Sequence, residues 1–496
     1  VPAGSESGGA PLLFHNARIY TFDPAGTVID PGAIAVSSSG EILARGDSES
    51  MMRDCPEAEG IDLAGKTMLP GLIDAHGHLY GLAVSYTRAN LVGTQSKAEV
   101  ISRLREFAKN LPAGEWLLGM GWDQNDWPEA NFPGKQDLDR EFPDRPVWLI
   151  RIDGHAAWGN SAALAQADRD LSGEWQPQGG HIHRDGNGEA QGVFIDKAKS
   201  LVESVIPPVS DEIIEGALDL ATHELASLGL TGVHDPGINR SVLELFRKKI
   251  LQDRFPLRVY AMADGMGDTL DWLCARGPFI DPSGKLMMRS VKLYADGALG
   301  SRGAALLEDY SDEPGNRGLL FAGQEDMEEH IRRAMSCGLQ VGVHAIGDGG
   351  NRQVLDAFER TLPDYPHNPG RHRIEHAQVL HPSDIPRFAQ LGIIAAMQPT
   401  HATSDMYWAA ARLGDERAGG AYAWRSLLDS GARLAFGSDF PVEQVNPMLG
   451  IYAAVTRQDL KGWPENGWIP EQRISREEAI RAFTLDAAYS AFMENE

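Results

Sequence analysis

Two histidines flanking a single glycine, His76-Gly77-His78, follow the run Met68-Leu69-Pro70-Gly71-Leu72-Ile73-Asp74-Ala75. The run reads as a buried strand. The period-two alternation of strand side chains then sends both imidazoles to one side where the strand leaves the core. Neutral imidazole is the commonest ligand of zinc and its first-row neighbours, so two donors are aimed at one point. Four later runs end alike: Lys292 in Ser290-Val291-Lys292-Leu293-Tyr294-Ala295-Asp296-Gly297, His344 in Val341-Gly342-Val343-His344-Ala345, His376 in Arg373-Ile374-Glu375-His376-Ala377, and Asp439 in Leu434-Ala435-Phe436-Gly437-Ser438-Asp439. Chemistry-bearing residues at the ends of several different strands are the distribution of an eight-stranded parallel barrel, the (β/α)8 TIM barrel of the α/β class.

The ordered set HxH, Lys, His, His, Asp resembles the metal-dependent amidohydrolase superfamily, and the surrounding text is similar to its YtcJ-like branch, which includes N-substituted formamide deformylases. The matching stretches are Leu69 to His78, Gly121-Trp122-Asp123-Gln124, Asp153-Gly154-His155, Lys292 to Arg302, His344 to Asp348, Arg373 to Gln378, Met397-Gln398-Pro399-Thr400-His401 and Gly437-Ser438-Asp439. The resemblance runs from about residue 12 to 494. Its motifs are specific for the superfamily and identify no substrate.

Counting strands forward gives first helix Asp211 to Leu228, second strand 229–235, third 257–262, fourth 291–295, and fifth to eighth ending at His344, His376, Gln398 and Asp439. The count closes at eight. Residues 68–80 and 210–490 are therefore expected to form the barrel, and 81–209 a large insertion after strand 1 that serves as a lid or pocket wall. Residues 1–67 alternate short apolar runs with turns and read as a small antiparallel, β-sandwich-like domain. In the resembling family C-terminal strands complete that domain, and this sequence, which stops at Glu496, is expected to lack them.

A chain of 496 residues can bury a large core. Its 45 basic against 70 acidic residues give a formal charge of -25, which repels phosphate backbones and anionic lipid, so nucleic acid and membrane are not expected as partners. A small-molecule substrate is, and a homodimer is compatible with everything above. The three cysteines, Cys55, Cys274 and Cys337, are widely spaced and odd in number; they are expected to be buried thiols. The cytoplasm is the default compartment. The first residue is not methionine, so export after signal cleavage stays open.

Two metal positions can be drawn: His76, His78 and Asp439 around one ion, His344 and His376 around the other, with Lys292 between them. A protonated lysine has donors only and cannot ligate. The resemblance implies that Lys292 is carboxylated and gives one oxygen to each of two ions, in which case the cofactor is a pair of divalent metals, zinc by expectation. The alternative is that Lys292 pairs with Asp296 and a single ion suffices. Coordination lowers the pKa of water toward ~7 and polarises a carbonyl. Asp439 is then the expected general base, taking a proton from the metal-activated hydroxide step and delivering it to the leaving nitrogen. Its plainer reading is a turn aspartate before Phe440-Pro441.

His155 is open to two readings, a catalytic histidine reaching the substrate or a structural one in a turn. Arg302 either holds a polar substrate group or pairs with a carboxylate. His401 and Trp122 are read as substrate-binding, with Trp127, Trp158, Tyr407 and Trp408 either lining an aromatic mouth or filling a core. Asp348 is expected to orient His344. His181-Ile182-His183 also spells HxH, but it precedes the turn-rich Arg184-Asp185-Gly186-Asn187-Gly188 with no buried strand behind it, and reads as exposed histidines in a hairpin. The expected activity is hydrolysis of a non-peptide carbon–nitrogen bond in a small N-substituted amide. Deamination, ester or lactone hydrolysis on the same site, and a non-catalytic regulatory barrel, are the alternatives.

Overall fold

The computed structural model describes residues 10–495 apart from positions 24, 113, 130, 152–155, 178, 179 and 301. They form two compact units, Tyr80–Ala221 and the pair of segments Val1–Leu79 with Thr222–Glu496. The insertion thus takes the larger, N-terminal part of helix Asp211–Ser227, as far as Ala221, with it.

The larger unit is built on eight parallel strands: β1 (Leu72–Asp74), β2 (Leu230–Ile238), β3 (Arg258–Asp264), β4 (Leu286–Tyr294), β5 (Gln340–Ala345), β6 (Arg373–His376), β7 (Ile394–Met397) and β8 (Arg433–Phe436). Each pairs with the next in chain order. The Ala75 N–H donates to Phe436 O at 2.9 Å, bringing the last strand back onto the first. Strands covered on both faces should be apolar throughout. All four residues of β7 are buried, as are Leu434, Ala435 and Phe436 of β8. β4 begins five residues earlier than its apolar run suggests, because Leu286, Met287 and Met288 are also buried and the last two pair with the short strand Phe279–Ile280.

One end of the barrel is plugged by the chain's own C-terminal segment. Ala487, Ala488, Ala491 and Met493, on and after helix Leu485–Ser490, pack against Ile73, Tyr260, Met287, Ile394 and Ala435. Gln340 Nε2 donates to Ser490 O at 2.8 Å, and the Arg371 guanidinium forks onto Glu494.

The N-terminal sheet has five strands, Leu12–Tyr20, Val28–Val36, Ile42–Asp47, Glu59–Asp62 and Thr67–Met68. It is mixed rather than wholly antiparallel, since the last two return parallel to the first. Helix Ser48–Asp54 covers it through Met51, which meets Leu13, Ala33 and Ala35.

The expectation of three thiols is corrected. Cys274 and Cys337 form a disulfide with Cα atoms 4.9 Å apart, and only Cys55 is free. They stand on the helix after β3 and at the cap of the helix before β5, neighbours on the outer ring that are 63 residues apart in sequence. Spacing along the chain carries no trace of that proximity. No helix among the described residues is long and apolar enough to cross a membrane.

The insertion carries a six-stranded sheet in the order Gly180–Arg184, Ala190–Asp196, Ala156–Gly159, Val147–Arg151, Leu117–Trp122, Ala89–Asn90. Two cores flank it, one around Trp122, Trp127 and Trp158, the other around Trp148, Ile182 and Phe194.

Candidate metal centre

Where β1 leaves the core, Asp74, His76 and His78 share one parity. Asp74 accepts from His76 N at 3.0 Å and reaches across to β8, accepting from Ser438 N at 3.1 Å and Ser438 Oγ at 2.7 Å. This latch holds the two strand ends against each other. The approach is so close that a Cβ on Gly437 would meet His76 N at 2.4 Å, and one on Gly77 would meet the Phe440 ring at 2.3 Å.

His76 is 1% exposed, and its Nδ1 lies 2.5 Å from Glu375 Oε2. A carboxylate there accepts, so the Nδ1 carries the proton and Nε2 presents a lone pair. That Nε2 is 3.6 Å from Asp439 Oδ1 and 3.5 Å from Lys292 Nζ. Glu375 is in turn held by Arg373, whose Nε lies 2.7 Å from Oε1 and whose other nitrogens reach Ala75 O and His234. Gly342 leaves the space, since a Cβ on it would meet Glu375 Oε1 at 2.9 Å.

His376 repeats the arrangement. Gln398 Nε2 donates to Ala396 O, which leaves Oε1 to accept from His376 Nδ1 at 2.8 Å and bares the Nε2. The His376 ring centroid is 4.8 Å from that of His76, 4.5 Å from His344 and 6.1 Å from His401. Asp439 ties both halves together: Oδ1 is 3.1 Å from His78 Nε2, and Oδ2 is 3.7 Å from His401 Nε2. His376 (φ +74°) and Asp439 (φ +63°) both sit in the left-handed region, which costs a non-glycine residue roughly 1–3 kcal/mol. Such strain clusters at functional sites.

Two triads result, His76 with His78 and Asp439, and His376 with His401 and Asp439, each with ligand atoms within 4.8 Å of one another. Asp439 Oδ1, His344 Nε2 and His401 Nε2 are buried without a hydrogen-bond partner. Unpaired buried nitrogen and oxygen atoms converging on one space are costly unless something binds them, and a donor set of imidazoles and a carboxylate fits a divalent first-row ion.

Electrostatics agree with that use. Burial, with the Lys292 charge beside it, pushes His76 down to about 4, and the same two causes push His344 to about 3, so both are neutral at ordinary pH, the form that can offer a lone pair. Burial would raise Asp439, but His78, His76, His376 and His401 hold it well below the usual carboxylate range. Burial likewise opposes ionisation of Glu375, and Arg373 with His76 overcomes it. Lys292 is 1% exposed, and burial lowers its pKa.

The model of the amidohydrolase family matches residues 59–496. The chain belongs to that family. It is 35% identical to the putative amidohydrolase YtcJ of Bacillus subtilis over 97% of this chain and 90% of that one. It is 27% identical to the N-substituted formamide deformylase of Arthrobacter pascens over 97% and 89%. An uncharacterised metal-dependent hydrolase from Pyrococcus furiosus superposes with a TM-score of 0.80 at 29% identity, covering 98% and 96%. This amidohydrolase is thus a (β/α)8 hydrolase with residues in place for a divalent metal.

Not every expected residue joins the amidohydrolase centre. His401, read as substrate-binding, groups with His376 and Asp439, whereas His344 stands beside His376 outside the two triads. Trp122 is fully buried, its Nε1 donating to Leu149 O, so it fills the insertion's core and offers no face to a substrate. Arg302 forks onto Asp312 at 2.9 and 3.1 Å, the carboxylate-partner reading. Asp348 accepts from Leu307 N instead of orienting His344; Asp296 is the carboxylate near that ring, 3.8 Å from Nε2. Asp296 accepts from Ala305, Ile346 and Gly347 amides and forms no ion pair with Lys292. His155 lies outside the described residues. Glu375, Asp74 and Gln398 went unassigned in the sequence, although Glu375 adjoins a ligand.

Proposed function

We propose that this amidohydrolase cleaves the carbon–nitrogen bond of a small N-substituted amide, with Asp439 as general base. The supporting observation is Asp439 itself, a buried carboxylate shared by both imidazole pairs with an unpartnered oxygen. A divalent ion held by His76, His78, His376, His401 and Asp439 would supply water activation and carbonyl polarisation. Asp439 takes a proton from the attacking water and returns it to the departing nitrogen as the carbon–nitrogen bond breaks. Glu375 and Gln398 hold His76 and His376 in the tautomer that leaves Nε2 bare. Zinc is the expected ion. A binuclear centre further needs Lys292 as a carbamate, formed when the neutral amine adds to carbon dioxide and one proton leaves; its place 3.5 Å from His76 Nε2 supports that role. The 27% identity to an N-substituted formamide deformylase supports the amide over a deaminase or lactonase substrate.

The test is Asp439→Asn assayed on N-alkyl and N-aryl formamides and acetamides, with nucleosides and lactones as comparators. An amide can still offer an oxygen to the ion but cannot take up a proton. Metal content should stay near that of the parent, and kcat should fall about 10²–10⁴-fold with KM little changed. A variant keeping more than about half of the parent kcat ends the general-base role. Turnover confined to nucleosides or lactones ends the amide reading.

A further inference from the structure

Beyond the candidate metal ligands, the exposed Tyr294 at the same strand ends has a hydroxyl without a hydrogen-bond partner among the described residues. Tyr294 follows Lys292 by two residues on β4, so both point to the same face, and in register it sits beside His344 of β5, as Lys292 sits beside Asp264 of β3. Its ring is 5.9 Å from the His344 ring, and Lys292 Nζ lies 5.2 Å from its centroid. Unlike Lys292 and His344 it is exposed, at 40%. Its hydroxyl passes over Gly237 at the end of β2, where a Cβ would come within 3.1 Å of it and 3.8 Å of Asp264 Oδ1. Gly237, at φ +80°, is held in a conformation that favours glycine, and the missing Cβ is what leaves the hydroxyl its room.

We propose that Tyr294 contacts the substrate, donating its phenol O–H to the carbonyl oxygen of the bound amide. Among the described residues, several other donors around these strand ends are committed: Arg373 to Glu375, Ala75 O and His234, Arg302 to Asp312, Gln378 to Asp405 and Tyr422, Gln398 to Ala396 O. Thr400 Oγ1 is also without a partner, but it is buried where Tyr294 is open to an incoming molecule. Asp264, Asp439 and Glu375 can only accept when ionised. An amide carbonyl gains negative charge as water adds to it, and a donor already in place stabilises that charge more than it stabilises the ground state. A phenol does this without exchanging its proton. The assignment rests on the hydrolase reading above.

Tyr294→Phe keeps the ring against Lys292 and removes only the hydroxyl. Parent and variant are compared for metal content, for kcat and KM on the formamide panel, and for affinity toward an N-alkyl methylphosphonamidate, whose tetrahedral phosphorus carries the charged oxygen the addition step creates. Metal content should be unchanged, kcat should fall about 10- to 10³-fold with a smaller change in KM, and phosphonamidate affinity should fall by a similar factor. Turnover within twofold of the parent at full metal content overturns the assignment, and so does loss of the metal, which would make the hydroxyl part of the scaffold. If the parent cleaves no amide, the hydrolase reading fails separately; equal phosphonamidate binding by the two proteins would then overturn the role of Tyr294.

Discussion

The same three-letter pattern occurs twice with opposite outcomes. In His76-Gly77-His78 the outer residues face inward and the middle one is glycine, because Phe440 occupies the place of its side chain. In His181-Ile182-His183, on a strand paired antiparallel with Ala190–Asp196, the middle residue is fully buried beside Trp148 and Phe194, and the histidines face out. Alternation makes these two states exclusive. A large apolar residue between two histidines commits the strand to burying its centre, whereas a glycine leaves the flanks free to face inward. The second difference is the partner: His76 Nδ1 is held by a buried carboxylate, whereas His183 has, among the described residues, a tilted contact with Phe132 at 6.2 Å and no carboxylate.

The sharpest way to break this contrast is to remove each pair. His76→Ala with His78→Ala should lose bound metal and about 10³-fold or more of turnover, while His181→Ala with His183→Ala should leave metal content and kcat unchanged. Equal loss in the two double variants would mean that burial and partner do not distinguish the motifs. A smaller effect is expected from Glu375→Gln, which keeps the shape but frees the tautomer of His76 and leaves Arg373 without its charge partner. Metal affinity measured by chelator competition should fall about 10- to 100-fold; parental affinity would show that Nδ1 needs no carboxylate. The middle residues give the finest comparison. Gly77→Ala overpacks against Phe440, costing about 1–3 kcal/mol and weakening metal binding, whereas Ile182→Ala costs about 2–5 kcal/mol of stability with no change in metal affinity. Thermal unfolding read beside metal titration separates the two, and a metal effect from Ile182→Ala would contradict the division.

The barrel was legible because parallel strands announce themselves as short apolar runs, and the residues that end them are spaced by whole βα units. The structure brings His76, His78, His376, His401 and Asp439 together at those ends. Glu375 was hidden by the rule that found the others. It neighbours His376 in β6, and strict alternation would turn one of them away; the positive φ of His376 and Ala377 bends the chain so that both serve the same centre. Trp122 misled because an aromatic residue reads alike in a pocket wall and in a core, and only packing against Trp127 and Trp158 tells them apart. The Cys274–Cys337 bond needed the arrangement of the outer helices, which no spacing reveals.

The latch between Asp74 and Ser438 joins residues 364 apart. A ribosome therefore releases the first two imidazoles long before the carboxylate that completes their set, and a chain interrupted anywhere short of β8 holds scattered ligands without a centre. Capture of the ion is tied to the meeting of the first and last strands of the ring. On the proposed metal site, hydrolytic power would in this way be withheld from every unfinished copy, and metal retention would report that the ring has been closed.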